Sequence, residues 1–438
     1  MACNGRWFER LRDSNRLNDA KIATRLRSTS NPRTLAAATD LTGANQGLAP
    51  RIARISSRRA SSRWPRFDAL LALFEPRWRT SVKIGLISPS IVIGYRMDSS
   101  LDRTRDTAPA QAGVETARLH DAFRALRDAL ALEIVGQAEL IERLLIALLA
   151  DGHLLVEGAP GLAKTSAVRA LASRLEADFA RVQFTPDLLP ADLTGTEVWR
   201  PQEGRFEFQA GPIFHPILLA DEINRAPAKV QSALLEAMGE RQVTVGRATY
   251  ALPPLFLVMA TQNPIEQEGT FPLPEAQLDR FLMHVRIGYP EAAAETEILR
   301  LARERARQTL QTVTTPVEKM PQADVFAARA AVLDLHVAPA VERYLIEIVL
   351  ASRDAARYDA ALARRIAWGA SPRGSIALER CARAHAWLAG RDFVTPDDVR
   401  AIAPEVLRHR ILPSYEATAE GWDGDRLLGE LLKKVPLP

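Results

Sequence analysis

Residues 153–165, His-Leu-Leu-Val-Glu-Gly-Ala-Pro-Gly-Leu-Ala-Lys-Thr, determine how the rest of the chain is interpreted. The apolar run from Leu154 to Val156 predicts a buried strand, and a turn rich in small residues follows it. A helical pattern then begins at Lys164-Thr165. This order predicts a phosphate-binding loop, because backbone N–H groups and a helix N-terminus converge on one anion. Lys164 can reach the outer phosphates, and the Thr165 hydroxyl can ligate Mg²⁺.

One position departs from the strict form of this motif. The strict form has Gly directly before the lysine, whereas this chain has Ala163. Because a side chain with a Cβ disfavours positive φ, we expect residue 163 to be helical already. An ordinary Gly/Pro turn followed by a lysine is the alternative interpretation of the loop.

Composition and charge limit the possible classes of protein. The 438 residues are 47% apolar, which is ordinary for globular protein and suits two or three folded units. Residues 1–96 hold 18 Lys and Arg against 6 Asp and Glu, and the other residues hold 39 against 47. The body of the chain is therefore mildly acidic, although the whole chain carries +4. This division argues against a nucleic-acid interface spread over the body.

Cysteine usage and hydropathy indicate the compartment. The two cysteines, Cys3 and Cys381, form neither a disulfide framework nor a metal-type spacing, which favours a reducing compartment. No apolar run approaches the ~20 residues of a membrane-spanning helix. The N-terminus also lacks the pattern of a secretory signal. We therefore expect a cytoplasmic protein that does not insert into a membrane.

Residues 1–96 are rich in Arg and Ser and have no sustained period, and residues 98–113 have the composition of a polar linker. Three interpretations stay open for the first segment. It is a disordered basic tail that binds polyanions, an organellar transit segment, or an artefact of a start codon assigned upstream of Met97. We favour the third. For residues 1–114 we expect a basic tail and linker that is disordered or not native.

Strand and helix signals alternate through residues 115–289. Buried apolar runs recur at residues 217–220, 255–260 and 283–287, and two hairpins are expected around Gly204 and Gly246. Strands alternating with helices predict a parallel sheet covered on both faces. Only helical spacing remains after that point. We therefore expect an α/β core over residues 115–289 and a smaller, all-helical domain over residues 290–438.

Polar residues follow three of the apolar strands. Gly158 follows the first, Asp221-Glu222 the next, and Asn263 closes another. Ligands bind at the carboxyl ends of parallel strands, so these residues can converge on one site. There one carboxylate can hold Mg²⁺, and the other can accept a proton from the attacking water. The alternatives are a solvated acidic pair in a turn and an asparagine that forms the turn before Pro264.

Two arginines are further candidates for functional residues because of the residues around them. Arg280 lies between apolar residues in Leu-Asp-Arg-Phe, and Arg373 begins a helix in Gly-Ala-Ser-Pro-Arg-Gly. A cation at a helix N-terminus opposes the helix dipole, so we expect an anionic group such as a nucleotide phosphate to compensate Arg373. A salt bridge to Asp279 or another neighbour is the alternative for Arg280.

Taken together, these motifs resemble the MoxR family of AAA+ ATPases over about residues 115–438. The fold implied is a P-loop AAA+ core, with its parallel sheet sandwiched by helices, followed by a smaller helical lid. ATP and Mg²⁺ are the implied cofactors. The implied roles are phosphate and Mg²⁺ binding for Lys164 and Thr165, Mg²⁺ binding for Asp221, catalytic base for Glu222, sensor 1 for Asn263, arginine finger for Arg280 and sensor 2 for Arg373.

The resemblance also implies the rest of the nucleotide site. The segment against adenine is Val135, Gly136 and Gln137, and the phosphate loop is Gly158, Ala159, Pro160, Gly161, Leu162 and Ala163. An arginine finger acts on the nucleotide of a neighbouring subunit, so a ring, usually a hexamer, is implied. The insertion at residues 185–214 and the hairpin at residues 241–252 match family insertions that face the ring pore or a partner.

The function implied is ATP hydrolysis that remodels, matures or activates a client protein, with metalloenzyme assembly among the examples. A partner with a von Willebrand factor A domain is often involved. Two alternatives stay open. One is a nucleotide-gated scaffold with negligible turnover, against which the intact Glu222, Asn263 and Arg280 argue. The other is a DNA-directed motor, against which the lack of a basic stripe argues.

Overall fold

The computed structural model describes residues 108–264, 269–311 and 319–438. The interpretations of residues 1–96 fall outside the described residues. The first described helix, α1 (Ala108–Glu133), begins within the segment expected to be a linker. The high helix propensity of alanine and a proline in the first turn explain this early start.

A five-stranded sheet lies at the centre of the α/β core, in the order β2-β5-β8-β1-β9. Its strands are β1 (Leu154–Glu157), β2 (Phe179–Gln183), β5 (Ile217–Asp221), β8 (Leu257–Gln262) and β9 (Met283–Arg286). Every neighbouring pair is parallel, as the alternation of strands and helices predicts. Side chains of β1 alternate between two cores, with Leu154 and Val156 in one and Leu155 in the other. The strands are apolar because both faces of the sheet are covered.

Helices cover the sheet, and two hairpins project from the core. The remaining core helices are α2 (Ala138–Leu149), α3 (Lys164–Ser173), α4 (Pro190–Thr194), α5 (Ala228–Glu240) and α6 (Glu275–Leu278). The hairpins are β3–β4 (Gly195–Arg200 and Arg205–Ala210) and β6–β7 (Gln242–Val245 and Ala248–Ala251), and both were predicted. Short 3₁₀ turns occupy Pro212–Phe214 and Ile223–Arg225.

The second part of the chain is mainly helical. Its helices are α7 (Ala292–Gln311), α8 (Gln322–Leu333), α9 (Pro339–Arg353), α10 (Ala360–Arg365), α11 (Pro372–Leu388), α12 (Pro396–Leu407), α13 (Tyr415–Ala419) and α14 (Gly424–Lys434), with a 3₁₀ turn at Ala355–Arg357. One detail differs from the all-helical expectation. Strand β10 (Ile366–Trp368) pairs antiparallel with β11 (Leu412–Pro413). Strands this short have no readable period in the sequence.

Buried polar contacts fix the helical part against the edge of the sheet. Arg410, which follows α12, is buried and donates to the carbonyl oxygen of Phe281 over 2.6 Å. Its Nε also donates to Asp279 Oδ1 over 2.8 Å. His409 contacts the same Phe281 carbonyl at 3.3 Å through Nε2. These contacts hold α11 and α12 beside the residues that lead into β9. Within the described residues, no helix is long and apolar enough to span a membrane.

Candidate active site

The carboxyl ends of β1, β5 and β8 meet, as the sequence predicted. Lys164 Nζ donates to the carbonyl oxygen of Gly158 over 2.6 Å, and the carbonyl of Gln262 lies 3.5 Å away. Burial lowers the pKa of Lys164, while the nearby carboxylates of Asp221 and Glu222 act in the opposite direction. The lysine is thus held as a partly desolvated cation at the mouth of the loop, which suits the binding of an anion.

The loop itself has a tighter conformation than expected. Ala163 has φ +57° and lies before α3 in the left-handed region, so the expectation that it is helical is wrong. Gly161 is also left-handed, at φ +85°. Left-handed residues alternating with ordinary ones turn successive N–H groups toward one point, which explains why residue 163 accepts this strain. Gly158 is required for a different reason, because a Cβ there would lie 2.5 Å from Ile287 Cγ1.

Asp221 is the centre of a buried polar cluster. Its Oδ1 accepts the Thr261 hydroxyl over 2.6 Å, and its Oδ2 accepts the Thr165 hydroxyl over 3.4 Å. Arg181 donates to the same Oδ2 over 2.7 Å. A hydroxyl and a carboxylate this close together fit Mg²⁺, which takes one or two protein ligands and completes its shell with phosphate and water. Thr165 and Asp221 would hold the ion, and its charge would neutralise the phosphates.

Glu222 adjoins this cluster in a strained conformation. It has φ +58°, and its N–H donates to the Thr261 hydroxyl over 2.9 Å. Its carboxylate accepts from Gln183 Nε2 over 2.7 Å and lies 3.1 Å from Arg225 Nε. The strain and these hydrogen bonds hold the carboxylate beside the ends of β2 and β5. Asn263 follows β8 on the other side and is buried.

A cavity of about 370 Å³ continues from the loop. Val135 and Gln137 line it together with loop residues 160–163, which brings the two predicted nucleotide-binding segments together. Gly136 has φ +76°, and a Cβ there would lie 2.8 Å from Pro290 Cβ. The far wall consists of Tyr289 and the apolar face of α7, which the sequence interpretation treated only as the end of the core. Ala159, within the loop, is buried.

Arg280 lies on the side of the sheet where the strands begin, opposite to the side where the phosphate loop lies. Leu282, just before β9, donates its N–H to the carbonyl of His153, just before β1, over 2.8 Å. Residue 153 is at the amino end of β1 and residue 158 at the carboxyl end, so about 16 Å of strand separates them. Arg280 Nη1 donates to the carbonyl of Leu235, near the far end of α5. The side chain therefore points away from the loop of its own chain.

Arg373 lies beside Arg280 on this side of the sheet. Its Nη1 is 3.7 Å from Asp279 Oδ2, and that carboxylate also accepts the Ser371 hydroxyl over 2.9 Å. The expectation of an anionic group near Arg373 is met here by Asp279, which Arg410 already pairs at 2.8 Å. The alternative of an Arg280–Asp279 salt bridge is not seen, since the partners of Asp279 are the other two arginines.

Both arginines line a cleft of about 340 Å³ that we call the arginine cleft. Its charged lining consists of Arg241, Arg280, Arg373, Arg380 and Arg410 with Asp151 and Asp279. An excess of positive charge in a concave site attracts anions. The structure thus has two separate charged sites. A phosphate-binding type of loop lies at the carboxyl ends of the strands, and the arginine cleft lies near their amino ends.

Comparisons with known proteins identify the family to which this chain belongs. Residues 153–283 match the model of the ATPase family associated with various cellular activities (AAA), and residues 358–431 match the AAA lid domain. The chain is 42% identical to Chaperone MoxR1 of Mycobacterium tuberculosis over 340 residues, which cover 77% of this chain and 88% of that protein. The chain belongs to the MoxR family of AAA+ ATPases.

Two further comparisons agree with this assignment. Protein MoxR of Paracoccus denitrificans is 38% identical over 334 residues, 73% of this chain and 97% of that protein. The crystal structure of a proposed ATPase from Cytophaga hutchinsonii superimposes with a TM-score of 0.69 and 43% identity, covering 75% of this chain and 98% of that one. The MoxR-family chain described here is accordingly an ATP hydrolase with an AAA+ core and a helical lid.

Sequence reasoning missed several groups at this MoxR-type site. Gln183 and Arg181 come from β2, whose register pairs Gln183 with Asp221. Strand β2 was not considered alongside the three strands that polar residues follow. Thr261 was not singled out from the sequence, although its hydroxyl connects Asp221 with Glu222. The same rule about strand ends would have found Gln183 and Thr261, whereas Arg181 lies two residues before the end of β2.

Proposed function

We propose that ATP bound at the loop of one subunit is hydrolysed in a composite site completed by the arginine cleft of a neighbouring subunit. The observation that carries this proposal is that Lys164 lies at the carboxyl ends of the strands, whereas Arg280 lies near their amino ends. Arg280 is too far away to reach its own loop, so it can act only on another copy. Contacts of this head-to-tail kind generate a closed ring when the rotation between successive subunits closes. A hexamer is the ring that the family resemblance supports.

The proposed roles follow from the geometry. Lys164 and the loop amides bind the phosphates, and Thr165 and Asp221 hold Mg²⁺. Glu222 orients the attacking water and accepts its proton, with Asn263 beside the reacting phosphate. Negative charge that develops on the transferring phosphoryl group in the transition state is then stabilised by Arg280 and Arg373 of the second subunit.

We further propose that this cycle drives a chaperone-like remodelling of a client protein. The name of the M. tuberculosis relative, Chaperone MoxR1, supports this direction. Metalloenzyme maturation and a partner with a von Willebrand factor A domain rest on the family resemblance alone. A scaffold with negligible turnover is the second candidate, because Glu222 is engaged by Gln183 and Arg225.

ATP turnover as a function of protein concentration tests the composite site. Specific activity of the full chain should rise with concentration, in parallel with its mass by sedimentation velocity in ATP. Specific activity that is constant while the mass changes would rule out a shared site. Assembly in ATP without measurable turnover at any concentration would favour the scaffold.

A further inference from the structure

The arginine cleft contains a third arginine that the composite site, as proposed above, does not use. Arg380 lies on α11 seven residues after Arg373. Arg373, Ile376, Ala377 and Arg380 have the spacing i, i+3, i+4, i+7 and all line the cleft. The two arginines are therefore on one face of the helix, about 10.5 Å apart along its axis. Long side chains at that separation can converge on one extended anion.

The pairing of charges in the cleft leaves Arg380 available. Arg241 pairs with Asp151 at 2.7 Å and Arg410 with Asp279 at 2.8 Å, so both aspartates of the lining have partners. Arg329, outside the cleft, also pairs with Asp151 at 2.7 Å. Within the described residues, Arg380 makes no ion pair or side-chain hydrogen bond.

The neighbouring residue on α11 does not neutralise Arg380 either. Glu379 pairs with Arg383, one turn further along the helix. Arg373 shares Asp279 with Arg410 at the longer distance of 3.7 Å, so Arg280 and Arg380 are the arginines of the cleft without a carboxylate partner among the described residues. Arg280, Arg373 and Arg380 are all exposed, so an anion can reach this cluster of positive charge from solvent and would be attracted to it.

We propose that Arg380 is a third contact from the second subunit to the phosphates of the nucleotide bound by the first subunit. This inference rests on the composite site proposed above. Both arginines are exposed, but Arg280 is held by the carbonyl of Leu235, whereas the Arg380 side chain has no hydrogen-bond partner among the described residues. Arg380 therefore binds the phosphate chain and stabilises the ATP-bound interface, whereas Arg280 acts on the transition state. The direct contribution of Arg380 is therefore to nucleotide affinity and to assembly.

The test uses the full chain with Arg380→Ala, Arg380→Lys and a matched control, Arg343→Ala. Arg343 is an exposed arginine of α9 outside the cleft, so its removal changes the net charge by the same amount. Steady-state ATP hydrolysis is measured against ATP and against protein concentration. Sedimentation velocity is measured in ATP, in ADP and without nucleotide.

Arg380→Ala should raise the KM for ATP about tenfold, the size expected of one hydrogen bond to a charged group. The maximal rate at saturating ATP and protein should change less than about threefold, since the transition-state contacts remain. Assembly should weaken in ATP and stay unchanged without nucleotide. Arg380→Lys should recover most of the affinity because it keeps a point charge. Thermal unfolding of both variants verifies that they are folded.

Two results overturn the inference. Kinetics of Arg380→Ala equal to those of Arg343→Ala, with turnover lost in Arg280→Ala, would leave the composite site standing without Arg380. Assembly weakened equally with and without nucleotide would assign Arg380 to a carboxylate of the neighbouring chain instead of phosphate. Failure of the composite site itself gives a different pattern, since turnover would then be independent of concentration in all variants.

Discussion

The hydroxyl of Thr261 donates to Asp221 Oδ1 over 2.6 Å, in a position that is fully buried. The oxygen of the Thr261 hydroxyl also accepts the N–H of Glu222 over 2.9 Å. One hydroxyl therefore fixes both the carboxylate proposed to hold Mg²⁺ and the backbone of the proposed base. Residues that support a site in this way set its geometry without touching substrate.

Thr261→Val should lower the maximal rate of ATP hydrolysis by at least tenfold, since both partners of the hydroxyl would lose their alignment. Leaving them unpaired should also reduce the unfolding free energy by about 1–3 kcal/mol. Steady-state kinetics and urea unfolding measure the two effects. Thr261→Ser keeps the hydroxyl and should remain within about threefold of the parent. Equal losses in both variants would show that the methyl group, and not the hydrogen bonds, matters.

Glu222→Gln should preserve ATP binding and assembly and cut turnover by about 10²-fold or more, the contribution of a general base. Nucleotide binding is followed by calorimetry and turnover by phosphate release. Glu236→Gln, an exposed acid on α5, is the matched control and should leave both unchanged. Retained turnover in Glu222→Gln would remove this residue from the role of base.

The left-handed Ala163 gives a prediction about stability. The αL conformation costs a residue with a Cβ roughly 1–2 kcal/mol, whereas glycine adopts it freely but loses more entropy on folding. Ala163→Gly should therefore leave the unfolding free energy equal or raise it by up to about 1 kcal/mol, with activity retained. Ala163→Val, which is β-branched, should lose both stability and ATP binding. A clear loss in the glycine variant would mean that the loop depends on the alanine methyl group.

Burial also makes stability depend on pH at His153. The pKa of this buried histidine is lowered to about 3, mainly by desolvation, and its Nδ1 accepts the N–H of Val258 over 3.1 Å. An unfolded histidine titrates near 6.5, so below that pH the unfolded chain binds a proton that the folded chain does not. The unfolding free energy should thus fall by about 2 kcal/mol from this group between about pH 7 and pH 5.

Urea unfolding across that pH range measures this slope. His153→Asn keeps an acceptor for the Val258 N–H but cannot titrate, so its slope should be shallower than that of the parent. Some slope should remain, because burial holds the pKa of His409 well below its usual value too. His336→Asn, at an exposed position, serves as the control. Identical slopes in all three proteins would contradict the assignment to His153.

The sheet and the part of the site at the carboxyl ends of its strands were predictable from sequence. Strands buried on both faces give nearly continuous apolar runs, and the residues after them, Gly158, Asp221 and Asn263, are at one edge by topology alone. Helix α11 was also predictable, because Ser371 caps it and a proline follows in the first turn. In each case the signal is local, within a few residues of the feature.

The arginine cleft could not be predicted from such local signals. The position of Arg373 depends on how the helical part packs on the edge strand, and that packing is fixed by Arg410 binding Asp279 and Phe281 across the two parts of the chain. No periodicity records a contact over such a separation. Ala163 was mispredicted because local propensity favours a helical alanine, whereas the requirement of the loop for a left-handed residue overrides it.

Complementation between two inactive variants tests the composite site most directly. Lys164→Ala should disable the loop half and Arg280→Ala the cleft half, so each alone should be inactive. In an equimolar mixture, roughly a quarter of randomly formed head-to-tail interfaces join an intact loop to an intact arginine, and activity should return in proportion. A mixture of Lys164→Ala with Glu222→Gln, both on the loop half, should stay inactive. Absence of rescue in a mixture that assembles normally would contradict hydrolysis shared between subunits.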